Sequence, residues 1–157
     1  MVAALVTALV LSVVGLVASL VIGYRIGSAA DLFQHATLAT FVTLLVLLTH
    51  SMVMFYLIGK GKAIREAAAE GGLAETYGQE VARLRKPVFS LGTVAMALTM
   101  ATAIIGGGVD TQVVPSQVHG LLALSAVAAN LATLRIELTA LMASSRITDE
   151  VNRLLGA

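Results

Sequence analysis

The sequence predicts an all-α integral membrane protein: an up-down-up-down bundle of four transmembrane helices with cytoplasmic helical extensions. Composition is the first of three observations behind this. Of 157 residues, 58% are hydrophobic and 12% charged, with a mean hydropathy of +0.93, outside the range of soluble domains. The second is segmentation. Four apolar runs, Val2–Ile22, Ala36–Ile58, Val88–Ile105 and Val118–Ala143, are each long enough, or nearly so, to cross about 30 Å of hydrocarbon as a helix. The third is charge asymmetry. Lys60, Lys62, Arg65, Arg83, Arg85 and Lys86 lie between the second and third runs, and Arg146 and Arg153 follow the fourth. Only Arg25 lies between runs one and two. The positive-inside rule then puts both termini and the 60–86 loop in the cytoplasm. The membrane expected is the bacterial inner membrane.

The chain is expected to form one membrane domain, 1–157. Its spans cover about 2–24, 33–60, 87–106 and 117–143, with a polar loop at 60–86 and a cytoplasmic amphipathic tail at 144–157. The first run is Val, Leu and Ala with small residues (Ala4, Ala8, Ser12, Gly15, Ser19, Gly23) every three or four positions, a seam for close helix approach in lipid. Ser28-Ala29-Ala30 resembles a signal-cleavage site. The apolar run is too long for that reading and no Lys or Arg precedes it, so a retained span is expected.

Gly27-Ser28 breaks the chain, and Asp31 is expected to cap the second helix. That helix has no stop signal until Gly71-Gly72, and Lys62 and Glu66 form an i,i+4 pair on its extension. A polar helical piece from Ala74 to Lys86 returns to the membrane and meets Pro87, which suits a helix start or a kink. Gly106-Gly107-Gly108 and Pro115 read as the turn before the fourth run. Beyond that run, Ile147, Val151, Leu154 and Leu155 have the i, i+4, i+7, i+8 spacing of an amphipathic helix.

Polar groups on the fourth helix share one side. Asn130, Thr133 and Glu137 follow His119 by eleven, fourteen and eighteen residues, which at about 100° per residue keeps them within about 40° of it. Charged and polar groups in a membrane are costly unless they face protein, water or a ligand, so the stripe marks an inward face. His35 opens the second helix as His119 opens the fourth, and the two helices run in the same direction. Their imidazoles therefore lie at similar depth, where they could ligate a haem b or, with Asp110 or Asp31, a transition metal. The bland alternative is a pair of interfacial histidines that only cap backbone groups or meet headgroup water. His50 follows His35 by about 22 Å along the helix and about 60° around it, near the depth of Glu137. A His50–Glu137 contact would satisfy both groups, either as a proton relay or as an interhelical lock. Arg135 lies about 160° from His119, facing lipid or a partner.

Other chemistries find no support. There is no cysteine, which excludes disulfides, iron–sulfur clusters and thiolate zinc sites. No nucleophile elbow, zincin motif, P-loop or dinucleotide-binding motif occurs. Met52 and Met54 point to different sides of their helix, so core packing suits the methionines better than copper binding. The basic residues interleave with acidic ones beside the membrane, unlike a nucleic-acid surface. The expectation is a small haem- or metal-binding membrane subunit of an electron-transfer or metal-handling complex. It would lie in the lipid bilayer with copies of itself or other membrane subunits, and would not be an enzyme by itself. The alternatives are a non-catalytic structural or assembly subunit and a small channel or transporter subunit.

Overall fold

The computed structural model describes residues 1–156. It is built from four helices, α1 (Val2–Gly23), α2 (Ala29–Glu70), α3 (Thr76–Asp110) and α4 (Ser116–Leu155). Each is long and apolar enough to cross a membrane. Val-rich segments such as α1 are poor helix formers in water. In lipid, a helix is the one conformation in which a lone segment satisfies its own backbone.

The exterior of the helices is apolar and the interior partly polar. Val14, Phe41, Leu44, Phe55, Ile104 and Leu121 are exposed, whereas Ser12, Thr49, His50, Asn130 and Glu137 are buried. Lipid tails solvate the first set, and the second set finds partners inside. Helices α2 and α4 touch each other across the middle, and α1 and α3 flank them on either side without meeting. The small-residue seam of α1 faces its own chain. Ser12 and Ser19 are buried, and a Cβ on Gly15 would come within 2.8 Å of Val42.

The helix starts refine the sequence reading. Ser28 rather than Asp31 is the N-cap of α2. The Asp31 N–H donates to Ser28 Oγ at 3.2 Å, while Ser28 Oγ and the Gly27 N–H donate to Asp31 Oδ2 at 2.8 and 3.1 Å. This reciprocal arrangement needs a hydroxyl at the cap and a carboxylate three residues on, so the helix begins ahead of Asp31. The Gly106–Gly108 run is also not a turn. It lies inside α3, which continues to Asp110, with the His119 ring against Gly106 and the Val114 side chain against Gly108. The turn falls at 111–115.

The 60–86 segment is mostly helical. α2 ends at Gly71 and Gly72, the latter at φ +65°, where glycine carries no left-handed penalty. α3 passes through Pro87 within a single helical segment, and α4 continues to Leu155. Ala157, the last residue of the expected tail, lies outside the described residues. Since α1 is only 22 residues long, the far ends of α2, α3 and α4 form a three-helix stalk around Ile64, Val81, Ile147 and Val151. Tyr77 Oη donates to Glu150 Oε1 at 3.3 Å on its flank. The main core, including Leu5, Leu9, Val53, Leu57, Val88 and Leu141, lies nearer α1.

Candidate functional site

The polar groups of α2 and α4 meet at two levels. At one end, His35 and His119 approach with ring centroids 6.3 Å apart and planes at 84°. Further along, His50 meets Asn130 and Glu137. Further still, Lys60 Nζ donates to Thr148 Oγ1 at 3.5 Å. Contacts at 35, 50 and 60 on α2 thus advance in step with contacts at 119, 130–137 and 148 on α4.

The inner level is closed. His50 Nδ1 lies 2.9 and 3.0 Å from the two Glu137 carboxylate oxygens, and His50 Nε2 lies 2.9 Å from Asn130 Oδ1. Asn130 Nδ2 donates to Thr99 Oγ1 at 3.0 Å and to the Ala126 carbonyl at 2.8 Å. Thr99 in turn donates to the Ala95 carbonyl at 2.8 Å. His50, Asn130 and Glu137 are exposed by 2%, 1% and 0%, so no ring nitrogen remains for an outside ligand. Thr133 is equally buried but donates to its own helix, to the Ala129 carbonyl at 2.8 Å. The stripe therefore faces the interior of its own chain. A pore shared between copies would need these side chains on an outer surface.

The outer level is open. Nδ1 of His35 and Nδ1 of His119 are buried without a hydrogen-bond partner, and they are the only such side-chain atoms among the described residues. An unpaired buried polar atom costs about 1–3 kcal/mol. Two of them, on neighbouring imidazoles from different helices, form the strongest local departure from a satisfied interior. Each ring also rests against a glycine. A Cβ at Gly23 of α1 would lie 2.9 Å from His35 Cε1, and one at Gly106 of α3 would lie 3.0 Å from His119 Cε1. Above them, the Tyr24 hydroxyl covers Gly120, where a Cβ would meet it at 3.1 Å.

The structure thus brings His35 to His119, and His50 to Asn130 and Glu137. It does not gather Asp110 with the two outer histidines. That residue is exposed at the end of α3, and no group of three or more His, Asp or Glu disposed to hold a metal is present among the described residues. Sequence reasoning missed Gly23, Gly106 and Thr99 as parts of these levels. A signal was present, because Gly92, Thr99 and Gly106 recur every seventh residue and line one face of α3.

The fold and site define a class: a small four-helix membrane protein with a polar core between two central helices. Comparison with protein families, curated proteins and solved structures gives no match.

Proposed function

We propose that this chain is a membrane subunit holding a haem or a transition metal between α2 and α4, through His35 and His119, in an electron-transfer or metal-handling complex. The observation that supports it is the pair of partnerless Nδ1 atoms on neighbouring imidazoles from two helices. The two rings are close neighbours, with centroids 6.3 Å apart and planes at 84°. Gly23 and Gly106 give the rings the space they occupy, since a Cβ at either would lie 2.9 or 3.0 Å from a ring edge. With only two protein ligands at hand, His35 and His119 would suffice to hold a haem, which would supply one-electron redox chemistry. A bare metal ion would need ligands from outside the pair.

In this reading the four helices alternate in direction as an up-down-up-down bundle in the bacterial inner membrane. The stalk and both termini are cytoplasmic, because the basic residues cluster at that end. The chain has no cysteine, so single cysteines at Ser28 and Ala74 would report the sides directly. Labelling of both by an impermeant maleimide from the same side would overturn the orientation.

The test of function is a reduced-minus-oxidised absorbance spectrum and a metal assay on the purified protein. A Soret band or stoichiometric metal, lost in both His35→Ala and His119→Ala, is expected. Parent protein with neither would end the proposal.

One observation favours a second reading, a structural subunit within a larger membrane assembly. Arg135 is exposed on α4 within the apolar run, in a groove with Leu84, Pro87 and Ile136, where a neighbouring subunit could supply a counter-charge. A strictly monomeric parent protein in mild detergent and in nanodiscs would count against it.

A further inference from the structure

The hydrogen bonds around His50 fix where its protons are. The side-chain amide of Asn130 has two possible orientations, and its neighbours select one. The Ala126 carbonyl can only accept. Thr99 Oγ1 spends its proton on the Ala95 carbonyl and is also left to accept. Both lie beside the same Asn130 atom, which must therefore be the NH2 group. The oxygen of Asn130 then faces His50 Nε2 at 2.9 Å, so Nε2 carries a hydrogen. Between His50 Nδ1 and the Glu137 carboxylate, at 2.9 and 3.0 Å, there must be one more hydrogen, since two bare acceptors would repel.

We propose that the His50–Glu137 pair is a one-proton binding site in the membrane interior, with Asn130 locking the imidazole so that the bound proton lies between Nδ1 and the carboxylate. The bound state is net neutral whether the proton rests on nitrogen or on oxygen. Loss of the proton leaves a buried carboxylate beside a neutral imidazole, with a net charge of −1. Gain of a second leaves an imidazolium beside a carboxylic acid, with a net charge of +1. Either change places an uncompensated charge where no opposite charge is available. Leu9 and Ser12 of α1 and Gly92, Ala95 and Thr99 of α3 bring no titratable group to the pair. The other buried ionisable residue among the described residues, Tyr56, is six positions further along α2. The site therefore holds one proton across the range in which free histidine titrates. The inference stands independently of any ligand at His35 and His119.

The test is nitrogen NMR of the full chain, labelled at its three histidines and held in nanodiscs, with the His50 signals assigned by their loss in His50→Gln. In the parent protein, Nε2 is expected to be protonated and the His50 signals not to titrate between about pH 5 and 8. In Glu137→Gln, the Gln amide donates to Nδ1, so the shared proton is lost while the Nε2 hydrogen stays. A bare Nε2 in the parent, or an ordinary histidine titration of His50, overturns the proposal from the parent spectra alone. A Glu137→Gln protein that keeps protons on both nitrogens overturns it as well.

Discussion

The His50 imidazole and the Glu137 carboxylate meet at 2.9 Å across 87 positions of sequence, and with Asn130 on Nε2 neither ring nitrogen of His50 is left free. This saturation contrasts with His35 and His119 on the same two helices, which neighbour each other and leave a nitrogen apiece without a partner. The two levels are built from similar residues and differ in what remains to be bonded. A ligand is expected where bonding capacity is left over, and mechanical coupling of α2 to α4 where none is.

Substitutions at the two levels should therefore separate. His119→Ala and His35→Ala are expected to abolish cofactor binding while leaving the unfolding midpoint in denaturant nearly unchanged. Glu137→Ala strands His50 Nδ1 and opens a cavity, for a loss of about 2–4 kcal/mol of stability with binding retained. Glu137→Gln should lose less than about 1 kcal/mol, since hydrogen bonds between membrane helices are individually modest. Equal behaviour of the His119 and Glu137 variants would show that the levels are one site.

The glycines against the outer imidazoles should act as positioning residues. Gly23→Ala and Gly106→Ala each place a methyl about 3 Å from a ring edge, closer than carbon atoms pack. Each is expected to weaken cofactor retention about tenfold or to shift its absorbance maximum, with a stability change of about 1 kcal/mol. Gly107→Ala is the control, since a Cβ there meets nothing within 4 Å. A Gly106→Ala protein spectrally identical to Gly107→Ala would remove the glycines from the site.

Asp31 lies outside the apolar core and gives a pH signature. The Ser28 hydroxyl, and then the Gly27 N–H, hold its carboxyl below the usual carboxylate value. Its contribution to the α2 start is complete above the unfolded-state value of about 3.9 and is lost as pH falls through the lower folded-state value. The Gly27 amide proton, which donates to this carboxylate, should titrate with a midpoint below about 3.9. Asp31→Asn should abolish that titration. A midpoint at or above the ordinary value would contradict the capping arrangement.

The stalk should depend on its own small core. Val151 is exposed by 1% and packs with Ile64, Val81 and Ile147. Val151→Asp would bury an unpaired carboxylate there, and cleavage of the 71–75 connection by a soluble protease is expected to speed up about tenfold or more. The ligand site, several helical turns away, should be unaffected. An unchanged cleavage rate would mean that the stalk helices are held by the membrane part alone.

Much of this was legible because a bilayer constrains a sequence more strictly than water does. The four helices follow from run length and composition alone. Helical periodicity was enough to turn Asn130, Thr133 and Glu137 inward, and to turn Arg135 outward. The level shared by His35 and His119 followed from their equal positions at the starts of two helices. The outer glycines were harder to read. A Gly-Gly-Gly run is ordinarily a break signal, whereas here it stays helical and its first glycine has a close neighbour, the His119 ring. The Ser28 cap was masked by Asp31, since both residues favour helix starts and only the hydrogen-bond pattern distinguishes cap from third position. Thr99 carries no signal of its own. Its part in the inner level depends on Asn130, thirty-one positions away.

The stalk also sets a standoff. Ten residues of α2 beyond Lys60 and the last turns of α4 project about 15 Å past the expected headgroup level. A soluble protein approaching from that side would reach the helix tips around Gly71 and Leu155 before it reached lipid. Docking there would place its redox or binding centre on the far side of the whole bilayer from His35 and His119. Between the two ends, the buried contact of His50 with Glu137 ties α2 to α4.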